Sequence, residues 1–64
     1  MKEFILVSDA LTDTLMIIRK SMICSVEEAI KDNKSVRRIY YTDDRTCEYV
    51  NDSLISIWES LEKE

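Results

Sequence analysis

Sixty-four residues carrying nine Lys or Arg and thirteen Asp or Glu give a net charge of −4, with 45% apolar and 34% charged residues. That balance belongs to a folded domain rather than a disordered segment, and the length holds one domain. Histidine, glycine and proline are all absent, which excludes imidazole triads, imidazole zinc sites, glycine-built phosphate loops and dinucleotide fingerprints.

In chain order, Lys2 to Ser8 reads as a strand, apolar on both faces and therefore central in its sheet. Residues 10–32 fit two templates. Leu11, Leu15, Ile18, Met22, Val26 and Ala29 make a helical stripe opposite Asp13, Lys20, Glu27 and Lys31, which gives one long helix and the order β-α-β-β-α. The competing reading has a turn at 9–13, a strand at Thr14 to Lys20 and another around Met22 to Glu28. It gives a five-strand meander followed by a helix. Periodicity alone slightly favours the long helix.

Val36 to Thr42 and Thr46 to Val50 are rich in β-branched and aromatic residues and form a predicted hairpin, with Asp43-Asp44-Arg45 as its turn. At the C-terminal end, Leu54, Ile57, Trp58 and Leu61 recur at i, i+3, i+4 and i+7, the stripe of an amphipathic helix over 52–62. Asp52 or Asn51 is its expected N-cap, and Glu59 and Lys63 an i,i+4 pair.

Across Phe4-Ile5-Leu6, Met16-Ile17-Ile18, Ile23 to Glu27, Ile39 to Asp44 and Tyr49 to Ser53, the chain resembles the small flagellar FlbD/SwrD-type proteins and similarly built short phage and plasmid proteins. The resemblance implies a meander closed by a helix, and it tilts the choice over 10–32 toward strands. It departs in lacking a hairpin glycine and in having Arg19 after Ile18. The last thirty residues are also similar to the end of a LytTR-type DNA-binding domain, without its basic surface. Neither resemblance carries over a functional residue. The expected fold is thus α+β, a small antiparallel meander of about five strands with a C-terminal helix, and β-α-β-β-α is the alternative. Expected core partners of the helix are Phe4, Leu6, Ile18, Ile23, Val26, Ile39 and Val50.

The longest apolar runs, Phe4 to Val7 and Leu15 to Ile18, are four residues each, against about twenty for a membrane span. The N-terminal run is too short for a signal peptide, so the expectation is a cytoplasmic protein with reduced thiols. A single core this small supplies only ~3–5 kcal/mol. With disulfides and metals unavailable, oligomerisation is the remaining source of stability, and a homodimer or higher homo-oligomer is expected.

Four groups of residues invite a chemical reading. Arg37, Arg38, Tyr40, Tyr41, Arg45 and Tyr49 form a basic and aromatic cluster of the kind that holds nucleic acid. Strand alternation separates Arg38 and Tyr40 from Arg37, Ile39 and Tyr41, and ordinary strand packing is the preferred reading. Asp43 and Asp44, with Glu48 and Asp52 nearby, read as turn chemistry rather than a metal site. Cys24 and Cys47 read as small buried hydrophobes rather than a redox pair. Trp58 is divided evenly between core filler and dimer anchor, with Leu54 beside it as an oligomer contact.

Charge is polarised, with a net of +1 over residues 1–40 and −5 over 41–64. These features lead to a non-catalytic regulatory module that binds another protein, such as a phage-encoded or bacterial modulator of a host protein. No cofactor, metal or membrane is expected, and nucleic acid is disfavoured. Candidate contacts are Asp43, Asp44, Glu48, Glu59 and Glu62 as an acidic face, with Tyr40, Tyr41 and Tyr49 as anchors. The alternatives are a small-ligand sequestering protein with a pocket at a subunit interface, or nucleic-acid binding through the Arg/Tyr sheet face.

Overall fold

The computed structural model describes residues 3–43 and 46–63. Five antiparallel strands in two sheets precede one C-terminal helix, so the meander holds and the long helix over 10–32 does not form. β1 (Phe4–Ser8) and β2 (Leu15–Arg19) make a hairpin, and a single 3-10 turn (Lys20–Met22) leads into β3 (Ile23–Lys31). β4 (Lys34–Tyr41) and β5 (Cys47–Val50) complete a three-stranded sheet in the order β3-β4-β5. α1 (Leu54–Glu62) follows and packs on β1 and β3. Lys2, Asp44 and Arg45 lie outside the described residues.

β1 is not central. Its ladder partner is β2, and on its other side only its C-terminal end meets the larger sheet. There Ala10 N donates to Tyr49 O at 2.7 Å and Asn51 N to Ser8 O at 2.9 Å. Asp9 bridges to Val50. The two sheets thereby wrap around one core, and α1 covers the side left between them.

Alternation decides what enters that core. Ile5 and Val7 point inward opposite Ile18 and Met16, while Leu6 points outward. Leu6 is therefore not a core residue; Ile5 and Val7 take the place expected of it. Ile18, Ile39 and Val50 are buried as expected, with Ile57 beside them, and Ile23, Val26, Met16, Tyr41 and Leu61 pack at the margin. Phe4 is half-buried and outside this cluster. Each fully buried aliphatic side chain contributes roughly 1.5–3 kcal/mol.

Turns are made without glycine. Asp9 Oδ1 accepts from Leu11 N at 2.7 Å, and Asp13 takes a left-handed φ of 59°. Between β3 and β4, Asp32 and Asn33 both have positive φ (53° and 62°) in a two-residue turn closed by Lys31 opposite Lys34. Asx side chains tolerate that region better than other non-glycine residues, and the right-handed strand twist demands it.

α1 begins two residues later than expected, and its cap is neither Asp52 nor Asn51. Ser53 Oγ accepts from Ser56 N at 3.1 Å. Asp52 instead accepts from Ser8 N at 2.7 Å, and Asn51 Nδ2 donates to Ser8 Oγ and Asp13 Oδ1, both at 3.1 Å. Lys63 falls outside the helix as its C-cap, which removes the helical spacing expected to pair it with Glu59. Trp58 is 61% exposed and so is not core filler. Ile57 alone of the stripe is buried. The two-sheet wrap accepts one helical ridge, which leaves the larger ring outside.

Candidate functional site

An exposed apolar surface with a defined geometry lies on the outside of the β1–β2 hairpin. Leu6 stands directly across from Ile17, and Leu15 across from Ser8. The three apolar side chains are 59%, 65% and 71% exposed. At one end the Arg19 guanidinium lies 4.8 Å over the Phe4 ring and pairs with Glu3 at 3.3 Å. Exposed single leucines are ordinary, but cross-strand neighbours on one face form a patch of the kind that marks contact sites. The doubly apolar pattern of Phe4 to Val7 signals this face, whereas Leu15 and Ile17 carry no cue that separates them from core.

The outer face of β3-β4-β5 gathers Arg38, Tyr40 and Tyr49. Arg38 Nη1 donates to Glu27 Oε2 at 2.8 Å and to Tyr40 Oη at 2.9 Å, while Tyr40 Oη donates to Glu27 Oε2 at 3.1 Å. The guanidinium also lies over both rings, 5.8 Å from the Tyr40 centroid and 5.4 Å from that of Tyr49. Lys31 Nζ lies 5.1 Å from the same Tyr49 centroid. The Tyr40 hydroxyl first, and then that of Tyr49, hold Arg38 even more firmly protonated than usual. Arg37 points to the opposite face, as alternation predicts.

Tyr41 and Glu48 occupy that inner side at its rim. Partial burial, with Glu48, Asp43 and Asp9 adding negative charge, pushes the Tyr41 phenol up to about 12. Partial burial and then Asp9 raise Glu48 above the usual carboxylate range. The candidate acidic and aromatic contacts are therefore not brought onto one surface. Tyr40 and Tyr49 face outward, Tyr41 and Glu48 line the inner rim, Asp43 is exposed in the β4–β5 turn, and Glu59 and Glu62 are exposed on α1. Asp44 lies outside the described residues.

Trp58 and Leu54 do come together. With Ile23, Val26, Leu61 and Lys20 they line an open groove of about 390 Å³ between α1 and β3. Cys24, exposed, also borders it, while Cys47 is half-buried on β5; both thiols are free, and β4 separates their strands. Cys24 is thus not the buried hydrophobe expected. Among the described residues no three His, Cys, Asp or Glu side chains are placed to share a metal ion. None of the described helices is long and apolar enough to cross a membrane.

Comparison with known proteins adds no further constraint: no protein-family model, no curated protein and no solved structure matches the chain.

Proposed function

We propose that the chain is a non-catalytic interaction module that works in a reducing, cytoplasmic setting as a homo-oligomer and docks on another protein. The observation that carries this reading is the outward pairing of Leu6 with Ile17, extended by Leu15. Burying three such side chains supplies the lasting affinity of a contact. Carboxylates at Asp43, Glu59 and Glu62 stand on other surfaces, where they favour rapid encounter with a basic partner rather than the contact itself. Regulation of a host protein by a phage or bacterial chain of this kind fits such a module.

Two alternatives are weaker for stated reasons. Arg38 and Lys31 already sit over the Tyr49 ring, and Glu27 already pairs with Arg38, so bases have little free aromatic surface to stack on. The α1–β3 groove is apolar and open, with few convergent polar groups to orient a small ligand.

The test compares proteins retained by the immobilised wild-type chain and by a Leu6→Lys/Leu15→Lys variant whose circular dichroism is unchanged. A partner held by the first and lost by the second supports the reading. Identical retained sets reject it.

A further inference from the structure

The hydrogen-bond phase of the β1–β2 hairpin fixes which backbone groups of β2 are left over. Asp9 N donates to Thr14 O at 2.8 Å, and Lys20 N to Glu3 O at 2.7 Å. With Val7 opposite Met16 and Ile5 opposite Ile18, the even-numbered residues of β2 turn their amides and carbonyls toward β1. Those of Leu15, Ile17 and Arg19 therefore point the other way, along an edge that no described strand covers.

Among the described residues the edge of β3 is also open, and it differs from that of β2 in protection. β3 carries Glu27, Glu28 and Lys31, and its register shifts between Ile23 and Ser25; charge and bulges of this sort block strand addition. β2 has an unbroken register, no carboxylate and one charge, Arg19. Its approach is acidic, through Asp9 and Asp13, and its exit is basic on balance, with Arg19 paired to Glu3 and Lys20 donating to the Lys63 carbonyl.

We infer that two copies of the chain join edge to edge through β2, antiparallel, about a two-fold axis at Ile17. The inference rests on the hairpin being a contact surface, as proposed above, and it specifies how a second copy meets it. Ile17 then faces Ile17 of the second copy, and Leu15 faces its Arg19. All three outward-pointing residues of each strand are used, in up to about six backbone hydrogen bonds. The same pairing sets Lys20 opposite Thr14 and Ser21 opposite Asp13 of the second copy, so each basic exit lies along the other's acidic turn. A parallel arrangement would put like ends together.

Shifted registers are worse. An axis at Arg19 apposes two guanidinium groups, and an axis at Leu15 runs into Asp13, whose left-handed backbone ends the strand. Closed two-fold pairing also consumes the exposed edge, so association stops at two. The product is a four-stranded sheet on which Leu6 and Ile17 of both copies form one apolar band. That band is the surface offered to a partner protein.

Sedimentation equilibrium at about 50 µM, which populates a dimer whose Kd lies at or below that concentration, tests the inference. Four chains are compared: wild type, Ile17→Lys, Leu6→Lys, and a synthetic chain N-methylated at the Ile17 amide. Ile30→Lys, at a more exposed site on β3, is the control. Wild type is expected at twice the 7.6 kDa chain mass. Ile17→Lys and the N-methyl chain are expected as monomers, with dimerisation weakened about a hundredfold or more, and Leu6→Lys and Ile30→Lys as dimers. A dimer that survives N-methylation but falls to Leu6→Lys would mean face-to-face packing and overturn edge pairing while keeping the hairpin as contact surface. A wild-type monomer overturns edge pairing, and the retention experiment then decides separately whether the face binds a different protein. Circular dichroism of each variant confirms that mass differences come from folded chains.

Discussion

Arg37 Nε donates to the Asp52 carbonyl oxygen at 2.8 Å, and its Nη2 donates to the Asn51 carbonyl at 2.7 Å. One planar guanidinium thus grips two of the three residues that lead from β5 into α1. A third bond, from Nη1 to Glu28 at 3.1 Å, ties the same group to β3. The side chain is only 13% exposed. Its charge serves the fold's own backbone rather than an external phosphate.

Replacing Arg37 by methionine keeps the stem and removes the fork. Two part-buried carbonyls then lose their donors, and chemical denaturation is expected to show a loss of about 2–3 kcal/mol. Arg37→Lys should recover only part of it, because an ammonium cannot reproduce the planar geometry.

The linker offers a paired comparison. Ser53→Ala removes the observed cap and is expected to cost about 1 kcal/mol. Asp52→Ala instead strands the Ser8 amide, 44 residues away in sequence, and should cost about 1–3 kcal/mol. If Asp52 were the cap, its removal would lower helix content as Ser53→Ala does; circular dichroism of both variants separates the roles.

Stability is expected to fall with pH in two ranges. The Glu48 carboxyl is raised in the folded state, so folding favours its protonated form. Its contribution is full below the ordinary carboxylate pKa and lost as pH rises through the higher folded value. Glu48→Gln should therefore gain on wild type across that window. Tyr41, raised from 10.0 to about 12, acts likewise at alkaline pH. Its stabilisation is present below 10 and disappears toward 12, so Tyr41→Phe should overtake wild type there. Urea midpoints measured as differences between variant and wild type isolate each group.

At the β3–β4 turn, Asn33→Gly should keep or slightly raise thermal stability, since glycine adopts φ near 62° without strain. Asn33→Val at the same position should lower stability by at least about 1 kcal/mol. Equal melting temperatures for the two variants would show that the turn does not hold this geometry.

The β4–β5 hairpin and the helix are legible because β-branched and aromatic enrichment and the i, i+3, i+4, i+7 stripe are local signals. Over 10–32, where β2 and β3 form, periodicity slightly favours a helix instead. What could not be read locally is which side of an apolar element faces inward. Phe4 to Val7 is apolar throughout, and only pairing with β2 selects Ile5 and Val7 over Leu6. Trp58 shares a stripe with Ile57, yet the space between the sheets admits only one of them deeply. The Asp32-Asn33 turn has a weak sequence signal, two short side chains with no glycine, beyond the expected end of the strand around Met22 to Glu28. The cap is ambiguous in sequence for a related reason: Asn51, Asp52 and Ser53 are all competent caps, and contacts with Ser8 and Asp13 decide among them. The acidic face was legible only as a sum of charges, which carries no information about which surface each carboxylate occupies.

Lys20 Nζ donates to the Lys63 carbonyl at 2.7 Å, across 43 residues, and Ser8 is bonded to Asp52 across a similar span. These closures have a kinetic consequence. Hairpins such as β3–β4 are local and form early, whereas β1 and α1 must find each other across more than forty residues, at the entropic cost of closing a long loop. During synthesis the core stays open on its helix side until α1 has emerged. The β2 edge is uncovered throughout that interval, and if it pairs as inferred above, pairing between neighbouring nascent chains would compete with completion of each fold.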